Sequence, residues 1–382
     1  MEIIKLSNRL TVGFQGADPV IREIYSELSA HNKKNHSNPD IVVRGEPINF
    51  ETETFKTEIS DSNGQSAQFG YIPETNTYSL RGAIRRHVGL LGWKVKVETS
   101  GGQLEVTIGY DQRIRTSPSL LGIGLRYMNR SFVWRYQNLS KILLYNLLEP
   151  IFHNELINKN SAYIHASSVE YEGKGLLFTG SGGSGKTSLM DGLVTRGSHS
   201  FISDDLCLIS QNGHLHPYLK RVQVYPYNIS KDSDHIVNRR ASAASKVQWE
   251  LRRSMKGSDG VRRRILPEKR YDVVPNDSEI PIETAIFLQR GGYESISVTP
   301  IKPTELSRRS LGVILEEFNP MIEHIIDLTS NGSHLLDIGK FVNRTSSVYQ
   351  SMFQDCNCFI TQIPNNADIE VVREKVYNII LE

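Results

Sequence analysis

Eight consecutive residues, Gly180-Ser181-Gly182-Gly183-Ser184-Gly185-Lys186-Thr187, have the types and spacing of a phosphate-binding loop. Glycines let the backbone curl until successive N–H groups point at one anion. A helix starting at the lysine adds its N-terminal dipole and its unpaired donors. Lys186 is placed to reach the β- and γ-phosphates of a nucleoside triphosphate. The Thr187 hydroxyl is placed to ligate Mg²⁺, with Ser188 continuing the binding segment. A glycine- and serine-rich loop matching by chance is the alternative, but an apolar strand before it and an apolar-periodic helix after it argue for the phosphate reading.

Such a loop needs an acid near the metal. Asp204 and Asp205 end a short apolar stretch 18 and 19 residues beyond Lys186. Two adjacent carboxylates can divide labour, one on the metal or its water and one as base for an incoming hydroxyl. The bland alternative is a solvated Asp-Asp turn. The segment 252–270 holds eight cations: Arg252, Arg253, Lys256, Arg262, Arg263, Arg264, Lys269 and Arg270. It reads equally as a solvated loop or as a lid whose arginines neutralise a transferring phosphoryl group, with Arg262 and Arg264 preferred. Aromatic residues only flank it, which disfavours nucleic acid. Asp232 and Asp234 read mainly as a polar surface loop.

These residues need elements to hold them. Strands are expected at 164–171 and 176–179 as a hairpin, then the loop, a helix over 187–195 and a strand at 200–202. Further strands are expected at 206–209, 222–225, 282–288, 295–298 and 358–363, with helices at 304–318, 334–353 and 368–381. Strand, loop, helix, strand is the pattern of an α/β nucleotide-binding core. An amphipathic helix over 139–156, kinked at Pro150, marks a junction. Before it, strands are expected at 10–14, 41–43, 51–59, 67–72, 93–97 and 104–110. Asp18-Pro19 is expected to open a helix bearing Ile21, Ile24, Tyr25 and Leu28. The fold class expected is α/β: a P-loop core over 138–382 preceded by a β-rich accessory domain over 1–137.

Bulk composition bounds the rest. With 382 residues, two domains are expected. A net charge of +2 and 23% charged residues do not suit a polyelectrolyte partner. Three cysteines build no disulfide framework and fit a reducing cytoplasm. Cys356 and Cys358 lack companions at zinc spacing. No apolar run approaches membrane-spanning length, and Met1 to Leu10 lacks a secretory apolar core, so a cytoplasmic protein without a membrane partner is expected.

The segments His165-Ala166-Ser167-Ser168-Val169, Gly175 to Gly180, the loop, Arg196-Gly197 and Ser203-Asp204-Asp205 together resemble the HPr kinase/phosphorylase family, over roughly residues 160–210. The resemblance implies a phosphoenolpyruvate-carboxykinase-like fold. It implies ATP and Mg²⁺ as cofactors and phosphoryl transfer to a hydroxyl of a protein, peptide or small molecule. Carried over by position, it implies ATP binding at Gly180 to Ser188 and metal binding at Thr187, Asp204 and Asp205. Either aspartate would be the base, and His165 would stand near the transferring phosphate. A homo-oligomer is also within the family pattern. The glycine-rich acidic segment that the family carries after its Asp pair is missing; His214 to Arg221 stands there instead. A nucleotide-dependent regulatory switch without an acceptor is the competing reading.

Overall fold

The computed structural model describes residues 1–16, 18–31, 38–48, 68–72, 77–86, 89–100, 102–111, 135–195, 199–224, 254, 263–330 and 336–381. The chain is mixed α/β and divides into two compact units. The expected strand at 51–59, Asp232, Asp234 and most of the basic segment, including Arg262, lie outside the described residues.

The first unit is a seven-stranded sheet in the order β1-β2-β3-β7-β6-β5-β4. Its strands are β1 (Glu2–Leu6), β2 (Leu10–Gln15), β3 (Ile41–Ile48), β4 (Gln68–Ile72), β5 (Thr77–Arg86), β6 (Gly89–Ser100) and β7 (Gln103–Asp111). β2, β3 and β7 run parallel, and the other pairs are antiparallel. Helix α1 (Pro19–Glu27) opens as its residues demand. The Asp18 carboxylate accepts from the Val20 and Ile21 amides and from the Tyr110 hydroxyl, and Pro19 fills the first turn. α1 approaches the sheet so closely that a Cβ on Gly45 would lie 2.3 Å from Ile21 Cγ1.

The expected helix over 139–156 is three pieces: α2 (Arg135–Leu143), a π-helical turn (Leu144–Leu148) and α3 (Glu149–Ile157). Pro150 has no N–H to donate and its ring crowds the preceding turn, so the ladder loosens there into a π-turn.

The second unit carries strands β8 (Ser161–Ile164), β9 (Ala166–Tyr171), β10 (Lys174–Thr179), β11 (Ser200–Ser203), β12 (Cys207–Ser210) and β13 (His214–His216). The pair β14 (Val222–Val224) and β15 (Arg263–Ile265) stands apart as a two-stranded sheet. β16 (Ile280–Gly291), β17 (Ser297–Pro300) and β18 (Asn357–Pro364) complete it. The main path is β11-β9-β10-β16-β13-β12-β8, with β18 also beside β16 and β17 beside β18. β10, β16 and β18 are parallel.

The helices are α4 (Lys186–Thr195), α5 (Pro303–Glu317), α6 (Asn319–Ser330), α7 (Ile338–Met352) and α8 (Ile369–Leu381). The β9–β10 hairpin closes through Glu172 at φ 51° and Gly173 at φ 79°, the paired positive angles of a tight two-residue turn.

A single cut at 137/138 does not describe the division. The first unit also takes 133–155 and 318–342. His153 of α3 shows why. It is fully buried between Phe318 and Phe341, with ring centroids 5.5 and 4.8 Å away. That core is assembled from distant stretches of sequence.

Candidate functional site

The main sheet changes partners at two adjacent points. β8 pairs with β12 and β9 pairs with β10 and β11; His165 is the one residue between β8 and β9. On the neighbouring segment, Asp204, Asp205 and Leu206 separate β11 from β12. The Ala166 amide donates to the Asp205 carbonyl at 3.2 Å, which ties the two switch points together. His165 and both aspartates thus stand where the chain leaves one strand pairing for another, beside the end of β10.

β10 delivers the glycine-rich loop. Leu177, Phe178 and Thr179 are fully buried, so the strand carries no polar–apolar alternation. Thr179 Oγ1 donates to the His165 carbonyl at 3.1 Å. Gly180 then turns at φ 142°, and a Cβ there would fall 2.3 Å from the Leu288 carbonyl oxygen. Gly183 and Gly185 also adopt positive φ. A Cβ on Gly182 or Gly183 would meet nothing within 4 Å, so the loop's crest is open. Ser184 Oγ is buried and has no hydrogen-bond partner among the described residues. Lys186 is 7% exposed, and its ammonium donates to the Gly180 and Ser181 carbonyls at 2.6 and 2.9 Å.

α4 is fixed from outside. The Arg373 guanidinium of α8 donates to the Ser188 carbonyl at 2.7 and 3.1 Å, and it fills the space beside Gly192, where a Cβ would lie 2.5 Å from its Nε. Asp191 accepts from Arg270 at 2.7 and 3.0 Å and from the Tyr271 hydroxyl at 2.7 Å. Arg270, expected as part of a mobile cationic segment, is therefore a buried pin on the loop's helix.

The two aspartates go to different partners. Asp204 Oδ1 accepts from Thr187 Oγ1 at 2.9 Å and from Ser167 Oγ at 2.5 Å. Burial raises its pKa against the pull of these hydroxyls. Asp205 turns away at φ 74° and is half-exposed. Its Oδ2 lies 2.9 Å from the buried Lys220 ammonium and its Oδ1 3.9 Å from His165 Nδ1. Burial would raise the Asp205 carboxyl, but Lys220, then His165 and Lys186, bring it down to about 2.

Glu317, the last residue of α5, places Oε2 3.8 Å from the same imidazole nitrogen. Burial, then Asp205, raises the Glu317 carboxyl. Burial and Lys186 hold His165 at about 4, so its ring is neutral at physiological pH.

The structure thus brings Lys186, Thr187, Asp204, Asp205 and His165 into one neighbourhood. It places Arg264 in β15 opposite Gln223, and none of the bonds described above comes from it. Lys220 and Glu317 belong to the site and were not expected there. Lys220 sits in the stretch His214 to Arg221 that follows the Asp pair. Glu317 ends a helix more than a hundred residues after Asp205 in the chain and has no local signal. No helix among the described residues is long and apolar enough to cross a membrane. No family model matches the chain, and no curated protein matches it either.

Proposed function

We propose that this protein is an ATP- and Mg²⁺-dependent phosphotransferase that acts on a hydroxyl of a protein, peptide or small molecule, built on a P-loop core like that of the HPr kinase/phosphorylase family it resembles. One observation carries the reading. The hydroxyl of Thr187, in the first turn after a buried lysine, meets the strand-end carboxylate of Asp204 at 2.9 Å. A hydroxyl and an acid meeting at the foot of a glycine-rich loop is the donor set a nucleotide-bound Mg²⁺ requires. The loop suits a phosphate chain: its crest is open at Gly182 and Gly183, and its interior holds the Ser184 hydroxyl, unpartnered among the described residues.

When bound, ATP supplies the phosphoryl group and Mg²⁺ offsets its charge. The chain's own residues do the remaining work. The amides of Lys186, Thr187 and Ser188 begin α4 and have no partner within the helix, so they are donors for phosphate oxygens. Lys186 is held inside the loop by two carbonyls that a phosphate oxygen can replace. Asp205 is the half-exposed acid. Lys220 keeps it ionised, so it accepts the acceptor's O–H and orients that oxygen. Such orientation suffices where the transition state is loose and the hydroxyl proton leaves late. Neutral His165 stands beside Asp205 and adds no charge. Arg264 and Arg262 are retained as candidates for neutralising the transferring group.

The test is a mass-spectrometric search for an acceptor that gains one phosphoryl group from ATP·Mg²⁺ in pools of peptides and hydroxylated metabolites. Wild-type protein is expected to label an acceptor, and Lys186→Ala or Asp204→Asn to label it at least ~100-fold more slowly. Nucleotide turnover with no acceptor in any pool, unchanged in Asp205→Asn, would overturn the kinase reading in favour of a regulatory nucleotide switch.

A further inference from the structure

We propose that the nucleoside end of the bound triphosphate is held by the loops that follow β16 and β18, and that the base they take is adenine. The Tyr293 ring is its stacking surface, and the side-chain amides of Asn365 and Asn366 read its edge. This subsite rests on the nucleotide reading above and takes the part of the ligand that the glycine-rich loop does not touch. Sheet order gives the direction. β11 lies on one flank of β10, and Asp204 follows it, so the metal and the terminal phosphates belong on that flank. β16 and then β18 lie on the opposite flank, both parallel to β10. Their loops therefore stand at the same end of the sheet as the glycine-rich loop, the end at which open parallel sheets receive ligands. A triphosphate crossing the loop from the metal leaves toward them. Gly185 faces that way: a Cβ there would lie 3.4 Å from Ile369 Cδ1, in the first turn of α8.

The two loops are tied into one surface. The backbone amide of Asn365 donates to the Gly291 carbonyl at 3.0 Å, and the Arg290 guanidinium donates to the Pro364 and Asn365 carbonyls at 3.2 and 3.0 Å. Further along, the Lys375 ammonium of α8 donates to the Ile296 carbonyl at 3.0 Å. The segment carrying Tyr293 is thus held before and after the ring. The ring itself lies against Gly291, where a Cβ would fall 3.2–3.8 Å from three of its atoms. Val371 stands one turn before Lys375 on the same face of α8. It is 46% exposed, one of the few large apolar side chains so open among the described residues. Asn365 and Asn366 are exposed too. An aromatic ring, an open apolar side chain and two neutral amides suit a flat base, which offers a π-face and a polar edge. An amide both donates and accepts, so it pairs with the amine and the adjacent ring nitrogen of adenine. The neighbouring donors of guanine ask for a carboxylate instead. The carboxylate in this loop, Asp368, is engaged in capping α8, where it accepts from the Glu370 amide at 2.8 Å.

Calorimetric titration of the full chain with ATP·Mg²⁺, GTP·Mg²⁺ and inorganic tripolyphosphate separates the two ends of the ligand without any acceptor. Wild type is expected to bind ATP about 10-fold more tightly than GTP. Tyr293→Ala should weaken ATP about 10-fold and leave tripolyphosphate unchanged. Tyr293→Phe keeps the ring and should bind ATP as wild type does. Gly291→Ala pushes the ring from its seat while every ring atom stays in the chain, and it should weaken ATP as Tyr293→Ala does. Replacing Asn365 and Asn366 together by Ala should erase the preference for ATP over GTP. Melting curves confirm that each variant folds. ATP affinity unchanged in Tyr293→Ala, ATP and tripolyphosphate weakened alike, or GTP bound as tightly as ATP would each overturn the proposal and leave the phosphate loop standing. Binding of neither ATP nor tripolyphosphate to wild type would overturn the nucleotide reading itself, and this subsite with it.

Discussion

Asp204 and Asp205 are neighbours in the chain and opposites in environment. Asp204 lies against two hydroxyls. Asp205 reaches the other side of the strand end because its backbone adopts φ 74°, a region that L-residues with a side chain enter at a cost of roughly 1–2 kcal/mol. This backbone term can be isolated. Asp205→Ala and Asp205→Gly remove the same charge and the same contact with Lys220. Ala normally stabilises a chain relative to Gly; here the Gly variant should be more stable by about 1 kcal/mol, as read from paired denaturant melts. Equal stabilities would show that the angle carries no strain. At this scale the sequence was informative wherever the chemistry is contiguous. The loop, Thr187 and the Asp pair stand in short runs whose spacing follows from a strand–loop–helix. Lys220 and Glu317 were illegible because each reaches the site through tertiary packing, on elements whose own patterns say nothing of their neighbours.

α4 carries the loop's last residues and is held by contacts on its far side. The Arg270–Asp191 pair is 2% and 10% exposed at its side chains, and the Tyr271 hydroxyl shares the same carboxylate oxygen. Removing one partner of such a pair strands the other. Asp191→Ala should therefore cost about 3–5 kcal/mol, and adding Arg270→Met should recover part of it, both measured by thermal melts. Additive losses would mean that the pair is not coupled.

The elements themselves were legible where periodicity was long. α1 with its Asp18 cap, the β9–β10 hairpin, α5 and α8 follow the expected ranges closely. The expected helix over 334–353 begins at Ile338, and Asp337 marks its start by accepting from the Lys340 amide. α6 was missed although Met321, Ile325 and Leu328 form its buried stripe, because Asn319-Pro320 reads as a stop rather than as the first turn it makes. β1, β8 and β13 were missed as well, being too short to show alternation, and so was β5, Thr77–Arg86, despite its ten residues.

At the scale of the molecule, three buried histidines couple stability to pH. Burial holds His31 and His153 at about 3, and burial with Lys186 holds His165 at about 4. All three lie below the ordinary value near 6.5, so the folded protein refuses protons that the unfolded chain accepts. The sign follows: their contribution is fully present above about pH 6.5 and is lost as pH falls from there toward about 3. Asp204 and Glu317, with raised carboxyls, oppose this trend at the acid end. The melting temperature should fall between pH 7 and pH 5. His153→Phe, which keeps a ring between Phe318 and Phe341, should fall less steeply than wild type. A parallel fall would acquit His153.

The middle of the second unit has a consequence in time. β10 finds its parallel neighbour β16 only after a hundred intervening residues, and β16 finds β18 only after more than sixty further ones. On a ribosome adding about 5–20 residues per second, the strand that carries the glycine-rich loop waits at least about five seconds with one edge unpaired. Until then the β9–β10 hairpin, sealed by its two-residue turn, is the one local structure available to it. The loop is therefore among the earliest parts of the unit to be synthesised and among the last to acquire its shape, and aggregation during synthesis should be most sensitive to changes at the exposed edge of β10.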